Sequence, residues 1–381
     1  MKILFVIDKM KNYAGIERIL TCKMNHIAHQ TSHKLYLMTY EQQDQPLPFP
    51  LDENIVYISI DSIMPQRSDL MLFQWLKAYH NARQRFQYHF KSLIQNIRPD
   101  LVVSTVYSYQ VLDIIINTCY QEGIKTIMES HTQGETVMLS RKFKYNRYLF
   151  RLLSFWDYHI LRSLRHCNCV VTLTKQDTPF WHKYAKRIEV IPNMLTITPK
   201  KVISYEVKRV ISAGRYMSEK GFDMLLEAWH LLPNDFCDWH LYIFGNGNRS
   251  LYQEIVDKYN KEETIHLMPA TYDIAEEFSK SSLYVMSSRY EGFGLVLAEA
   301  MSCGLPCVSF DCPYGPREII KDGEDGLLAN NKDIEDLVRK MTQLMSNEEL
   351  RRTMGEKAVR NIARYKPEYI LKQWTKLFEQ L

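Results

Sequence analysis

The chain has 381 residues, 46% of them apolar and 24% charged, with a formal net charge of +4. That length is too great for one compact core and suits two domains, and the composition is that of a globular chain and speaks against disorder. The charge is unevenly spread: residues 1–195 carry 24 Lys and Arg against 16 Asp and Glu, a balance of +8, and the rest carries 24 against 28, or −4. A basic front half is expected to meet something anionic.

In chain order, MKILFVID comes first. Its apolar run is short and ends at Asp8, so it reads as a buried strand, Lys2–Ile7, and not as the core of a signal peptide. No window approaches the roughly 18 apolar residues of a membrane span, and the expected location is the cytoplasm. The next stretch, KNYAGIERIL, is a loop with Gly15 followed by an amphipathic helix. Gly15 can bring backbone N–H groups near a phosphate or an acceptor. Glu17 can equally serve as a helix N-terminal charge. Strands follow at Lys34–Thr39, Leu101–Ser104 and Lys125–Glu129. His131 stands directly after the last of these, where a ring nitrogen can meet a sugar hydroxyl or share a proton with a leaving oxygen. A structural histidine is the alternative. RKFKYNRYLFRLLSFW, Arg141–Trp156, carries five cations and six aromatics. It reads as a basic amphipathic helix that lies on an anionic membrane surface or packs its aromatic side on its own domain. Two more strands, Cys169–Leu173 and Ile188–Ile191, lead to PNMLTITPKK, whose prolines and missing helical period mark a linker.

The second half repeats the alternation of strands and helices. Its strands are Arg209–Ala213, His240–Phe244, Thr264–Leu267, Leu283–Met286 and Cys307–Phe310. Such alternation predicts α/β architecture with parallel sheets. The expected domains are 1–195 and 196–366, with a last helix, 367–381, that presents Tyr369, Ile370, Trp374 and Phe378 on one face. Two doubly wound domains facing a cleft bind ligands beyond the carboxyl ends of their strands, so the residues just after strands carry most of the argument. After Ala213 come Gly214, Arg215 and Lys220, two cations at a strand-to-helix junction suited to a diphosphate, though ordinary surface cations fit as well. Gly245 ends a strand in Gly-Asn-Gly. After Met286 the chain reads SSRYEGFGLVLAEA. Glu291 precedes a helix start at Gly292, Phe293, Gly294 and Leu295, and Glu299 lies within that helix. A carboxylate on an inward helix face costs several kcal/mol unless partnered, and a ribose diol matches its two oxygens. The alternative is a solvated Glu291 and a Glu299 paired with a structural arginine.

Several chemistries lack support. GxSxG and HExxH are absent. No DxD pair is present to hold a divalent metal on a diphosphate, so the expected chemistry needs no metal and no cofactor. The eight cysteines form no CxxC pair, and Cys303, Cys307 and Cys312 match no common zinc spacing, so reduced, mostly buried thiols are expected. No nucleic-acid-binding module stands out.

Taken together, EGFGLVLAE followed by AMSCGLP resembles the E-x7-E motif of the family 4 glycosyltransferases, which have the GT-B fold. AGIE, VIPNM, GRYMSEKGF and CPYGPREII extend the resemblance over most of the chain. It implies retaining transfer of a sugar from a nucleotide diphosphate sugar to an acceptor hydroxyl. In that reading Glu299 holds the donor ribose, and Glu291 sits by the sugar hydroxyls. Arg215 and Lys220 hold the diphosphate and stabilise the departing nucleotide. His131 lies near the donor sugar, and Gly15 belongs to a loop closing on the phosphates. The back domain takes the donor, the front domain takes the acceptor, and the final helix returns to the front domain. The chain departs from the family in having Ala14 before Gly15, where two glycines are common. The CPYGPREII stretch looks most like enzymes that use UDP-sugars, including N-acetylhexosamines. The implied acceptor is a glycan or a lipid-diphosphate-linked oligosaccharide of surface polysaccharide synthesis. Rival readings are a nucleotide-sugar epimerase of similar fold, a binding protein without turnover, and a phosphorylase.

Overall fold

The computed structural model describes residues 1–11, 15–65, 72–106, 109–135, 147–201 and 203–381. These form two compact units, one made of Met1–Pro192 with Leu371–Leu381 and the other of Asn193–Ile370. The change of unit at Pro192 falls at the head of the proline-bearing linker.

The first unit is built on seven strands: β1 (Lys2–Ile7), β2 (Lys34–Thr39), β3 (Ile55–Ser59), β4 (Leu101–Val106), β5 (Lys125–Ser130), β6 (Cys169–Thr172) and β7 (Ile188–Val190). They pair in the order β3-β2-β1-β4-β5-β6-β7, and every pair is parallel. Parallel pairing needs crossovers, which are supplied by α1 (Gly15–Gln30), α2 (Leu72–Ile97), α3 (Leu112–Gln121), α4 (Arg147–Arg162) and α5 (Thr178–Trp181). Strands covered on both faces read as continuous apolar runs, and residues 3–7 of β1 are all buried. Phe86, Phe90 and Ile94 of α2 join one core with Leu4, Val6 and Val102. Ile160 and Leu161 of α4 and Trp181 of α5 join another with Met128 and Val170.

The second unit repeats the plan with β8 (Arg209–Ala213), β9 (His240–Gly245), β10 (Ile265–Pro269), β11 (Leu283–Met286), β12 (Cys307–Phe310) and β13 (Leu327–Ala329). Their order is β10-β9-β8-β11-β12-β13, again all parallel. The helices are α6 (Phe222–His230), α7 (Ser250–Lys258), α8 (Ile274–Ser279), α9 (Leu295–Ser302), α10 (Pro316–Ile319), α11 (Ile334–Met345) and α12 (Glu348–Ile362). Both sheets are thus doubly wound. The strand order reverses between β1 and β4 in one and between β8 and β11 in the other, which is where such sheets hold ligands.

The last helix, α13 (Pro367–Glu379), carries the chain from the second unit back into the first. Ile370, Leu371, Trp374, Leu377 and Phe378 are buried, whereas Tyr369 is 51% exposed. The expected apolar face is therefore corrected at Tyr369. The 3.6-residue period that aligns 370, 374 and 378 turns 369 outward. A second correction concerns Gly15, which is not a loop residue but the first residue of α1; residues 12–14, with Ala14, lie outside the described residues. No described helix is long and apolar enough to cross a membrane. All eight cysteines are free; Cys237 is exposed, Cys22 is half-buried and the other six are buried.

Candidate functional site

In the second unit the site grows from the two strands that flank the reversal. β8 ends at Ala213, and the Gly214 N–H donates to Phe244 O at 2.9 Å. This draws the ends of β8 and β9 together. Gly245 is needed there, since a Cβ would lie 1.9 Å from Gly214 O. Exposed Arg215 follows, and a 3-10 turn, Ser218–Lys220, leads to Gly221. Gly221 has φ +62, and a Cβ on it would stand 2.1 Å from Ser287 O, the first carbonyl after β11. Only glycine meets both demands, so the post-β8 and post-β11 segments touch backbone to backbone.

The post-β11 segment is braced by Arg289. Its guanidinium forks onto Asp223 at 2.8 and 2.5 Å, and its backbone N–H donates to Glu219 O. This brace brings Glu291 to Lys220. Lys220 Nζ donates to Glu291 Oε1 at 2.7 Å, and Ser288 Oγ donates to the same oxygen at 2.6 Å. The Glu291 N–H donates to Pro313 O at 3.0 Å, tying in the CPYG loop. The aliphatic stem of Lys220 lies over Gly214, where a Cβ would meet its Cγ and Cδ at 3.2 Å. Gly292 is half-buried, Phe293 is buried and packs edge-on against Tyr365, and Gly294 (φ +91) is the N-cap of α9, which opens at Leu295.

Glu299 lies in the middle of α9 and is 1% exposed. Thr196 Oγ1 donates to its Oε1 at 2.7 Å. Tyr284 of β11 is fully buried. Burial pushes its phenol well above the usual range, and the nearby Glu291 and Glu299 carboxylates add to that rise. Glu291, Glu299, Lys220, Gly214, Gly245 and the 292–295 turn are thus assembled around the carboxyl ends of β8, β9 and β11. Arg215 belongs to the same post-β8 segment. His131 and Gly15 belong to the first unit. Sequence reasoning missed Thr196, Ser288 and Tyr284, which are single polar residues without periodic signal. Ser288 alone was within reach, three residues before a glutamate on a ligand-facing loop.

In the first unit His131 directly follows β5, and its side chain is 1% exposed. Its Nε2 lies 3.2 Å from Glu129 Oε1. Lys23 of α1 donates to both Glu129 oxygens, at 2.6 and 2.5 Å, and Thr105 Oγ1 donates to Oε2 at 3.2 Å. The Lys23 ammonium also sits 4.1 Å from the Trp374 ring centroid, a favourable cation–π contact in a dry site. Burial alone would raise the Glu129 pKa. The charge of Lys23 and the hydrogen bonds it donates outweigh it and hold the carboxyl well below its usual range, so Glu129 is ionised. Burial in turn pushes the Lys23 ammonium below its usual range, against the pull of Glu129. Neither Lys23 nor Glu129 was singled out from the sequence.

Comparison with known proteins follows the same division. Residues 195–361 match the family model described as Glycosyl transferases group 1. An uncharacterized glycosyltransferase of Haemophilus influenzae is 33% identical over 212 residues, covering 55% of this chain and 60% of that protein. The amylovoran biosynthesis glycosyltransferase AmsD of Erwinia amylovora is 26% identical over 384 residues, covering 98% of each. A mutant of Staphylococcus aureus TarM, crystallised with fondaparinux, α-GlcNAc-glycerol and UDP, superposes with a TM-score of 0.76 at 16% identity, covering 99% of each chain. The chain thus has the GT-B fold, and within its second unit residues 195–361 are similar to the glycosyl transferases group 1 family.

Proposed function

We propose that the protein is a retaining, family 4 type glycosyltransferase. In this reading it moves a sugar from a UDP-sugar to a hydroxyl of a glycan or lipid-diphosphate-linked acceptor in surface polysaccharide synthesis. The observation that carries the reading is the Lys220–Glu291 pair set beside buried Glu299 where the strand order reverses in the second unit, the part similar to the group 1 family. Lys220 and Arg215 take the diphosphate and neutralise charge as the nucleotide leaves. That role needs no resident metal. Glu291, held by Lys220 and Ser288, faces the sugar hydroxyls. Glu299 takes the ribose diol on its carboxylate oxygens. His131 serves the sugar from the first unit, and the backbone at Gly15 serves the phosphates. The likeness to an amylovoran glycosyltransferase supports a polysaccharide acceptor, and the UDP bound by the TarM mutant supports the uridine donor.

The test is incubation with a panel of UDP-sugars and lipid-diphosphate acceptors, with the anomeric configuration of the product read by NMR. Transfer with retention is expected. An isomerised sugar from donor alone would turn the reading toward an epimerase. Alanine at Glu299 should raise the Kd for UDP about 10–100-fold, the worth of a hydrogen bond to a charged group, with kcat nearly unchanged. Unaltered UDP affinity would remove the ribose assignment.

We further propose that the stretch 141–156, whose later residues belong to α4, rests on an anionic membrane surface, from which a lipid-linked acceptor would be presented. Phe155 and Tyr158 are 73% and 48% exposed, while Trp156 also packs near Arg83. Residues 141–146, the most basic part of this stretch, lie outside the described residues. The protein should sediment with anionic liposomes at low salt and be released as salt screens the attraction. Equal recovery with neutral liposomes would contradict this.

A further inference from the structure

The first unit buries more charge than its fold requires. Lys23 and Glu129 come from sequence positions 106 apart, and their side chains are 1% and 2% exposed. They meet beside His131, whose two ring nitrogens are both buried without a well-aligned hydrogen bond. Nε2 lies 3.2 Å from Glu129 Oε1, whereas among the described residues no carboxylate pairs with Nδ1. A buried polar atom left unpaired is costly, so Nδ1 is a place where a ligand group completes the site.

We propose that Lys23 and Glu129 are positioning residues that set the tautomer of His131. The Nε2–H is directed at the Glu129 carboxylate, and the Nδ1 lone pair is presented to a hydroxyl of the bound sugar. The proposal rests on the glycosyltransferase reading for the identity of that hydroxyl, but not for the tautomer. The logic is one of proton placement. An imidazole that gives its one proton to a carboxylate must accept at its other nitrogen. The carboxylate can receive that proton only while it is ionised. Lys23 keeps it so, with Thr105 and the Trp374 face completing the surroundings of the pair. Without the ammonium, burial would drive Glu129 to take up a proton and become a donor. His131 would then turn its acceptor nitrogen inward and its N–H toward the ligand, which is the wrong polarity for accepting a hydroxyl. Trp374 lies on α13, so the returning C-terminal helix is part of the support for this histidine.

The test uses the full chain labelled with 15N-histidine. Nitrogen–proton correlation spectra of the unliganded protein report the tautomer directly, with the His131 signals assigned by their loss in His131→Asn. The wild type should show a single Nε2–H form. Glu129→Gln, a near-isosteric change, should shift His131 to a mixed or Nδ1–H population, and Lys23→Met should do the same if it folds. In both variants kcat should fall about 10–100-fold, the usual effect of removing a residue that orients a functional histidine, with KM for the donor unchanged. A wild-type His131 in the Nδ1–H or doubly protonated form overturns the proposal. So does a Glu129→Gln spectrum identical to wild type, or a shifted tautomer with unchanged kcat. If no sugar transfer were found at all, the function would fall while the spectra still decided the tautomer.

Discussion

Methionine in place of Lys220 is expected to lower kcat for sugar transfer about 10²–10³-fold, the effect of deleting one preorganised group that stabilises charge developing in the transition state. The substitution isolates charge from packing. Methionine keeps an aliphatic stem over Gly214, where the lysine methylenes now lie, and removes only the ammonium that reaches Glu291. Because Lys220 and Glu291 share a hydrogen bond, the variant also loosens Glu291, which keeps the Ser288 hydroxyl. Both consequences act on the reacting end of the donor, so kcat should fall more than KM rises. The Lys220 side chain is 23% exposed, so the thermal transition should move little, and a melting curve recorded beside the kinetics separates lost chemistry from lost folding. A kcat close to wild type would show that the diphosphate charge is met elsewhere.

The largest effect on stability is expected at Lys23. Its replacement by methionine leaves Glu129 buried with no ammonium beside it. Breaking a buried ion pair from one side costs about 3–5 kcal/mol, or roughly 6–20 °C in Tm for a unit of this size. Removing both charges, as Lys23→Met with Glu129→Leu, should recover much of that loss, because two apolar side chains no longer pay the desolvation of two ions. The pH dependence has a definite sign. The folded-state pKa of Glu129 lies below its ordinary value of 4.5. Its contribution to stability is therefore fully present above about pH 4.5 and is lost as the pH falls toward the depressed folded value. Urea unfolding of wild type and the single and double variants between pH 3 and 7 measures this (an order-of-magnitude window from the same linkage). A single variant as stable as wild type would contradict the ionised pair.

Much of the architecture was legible because buried parallel strands announce themselves as unbroken apolar runs. Lys2–Ile7, Lys34–Thr39, Arg209–Ala213, Leu283–Met286 and Cys307–Phe310 stand where the sequence places them. The strands that escaped are β3 and β13. β3 was readable, since residues 55–58 are an unbroken apolar run, although only Ile55 of this edge strand is buried. β13 is three residues long, too short to carry a period. On the site, Glu291 and Glu299 stood out because acids beside a glycine turn and inside an apolar helix are unusual. Lys220 stood out as a cation after β8, but which side chains the two acids would meet could not be read. Thr196 is 103 residues from Glu299 and Lys220 is 71 from Glu291, and nothing local in a threonine or a lysine says which distant carboxylate it will meet. Glu129 was the more recoverable omission. An acid in the buried run of a central strand demands a partner, and Lys23 in the amphipathic helix after β1 supplies it.

Glu299 is proposed to bind the ribose of a nucleotide diphosphate, and calorimetric titration of UDP and 2′,3′-dideoxy-UDP into wild type and Glu299→Ala tests this role most directly. Wild type should prefer UDP by about 10–100-fold, the value of hydroxyl bonds to a carboxylate, and the alanine variant should bind both nucleotides with the same weakened affinity. A variant that still discriminates as wild type does would place the ribose on other residues and contradict the account.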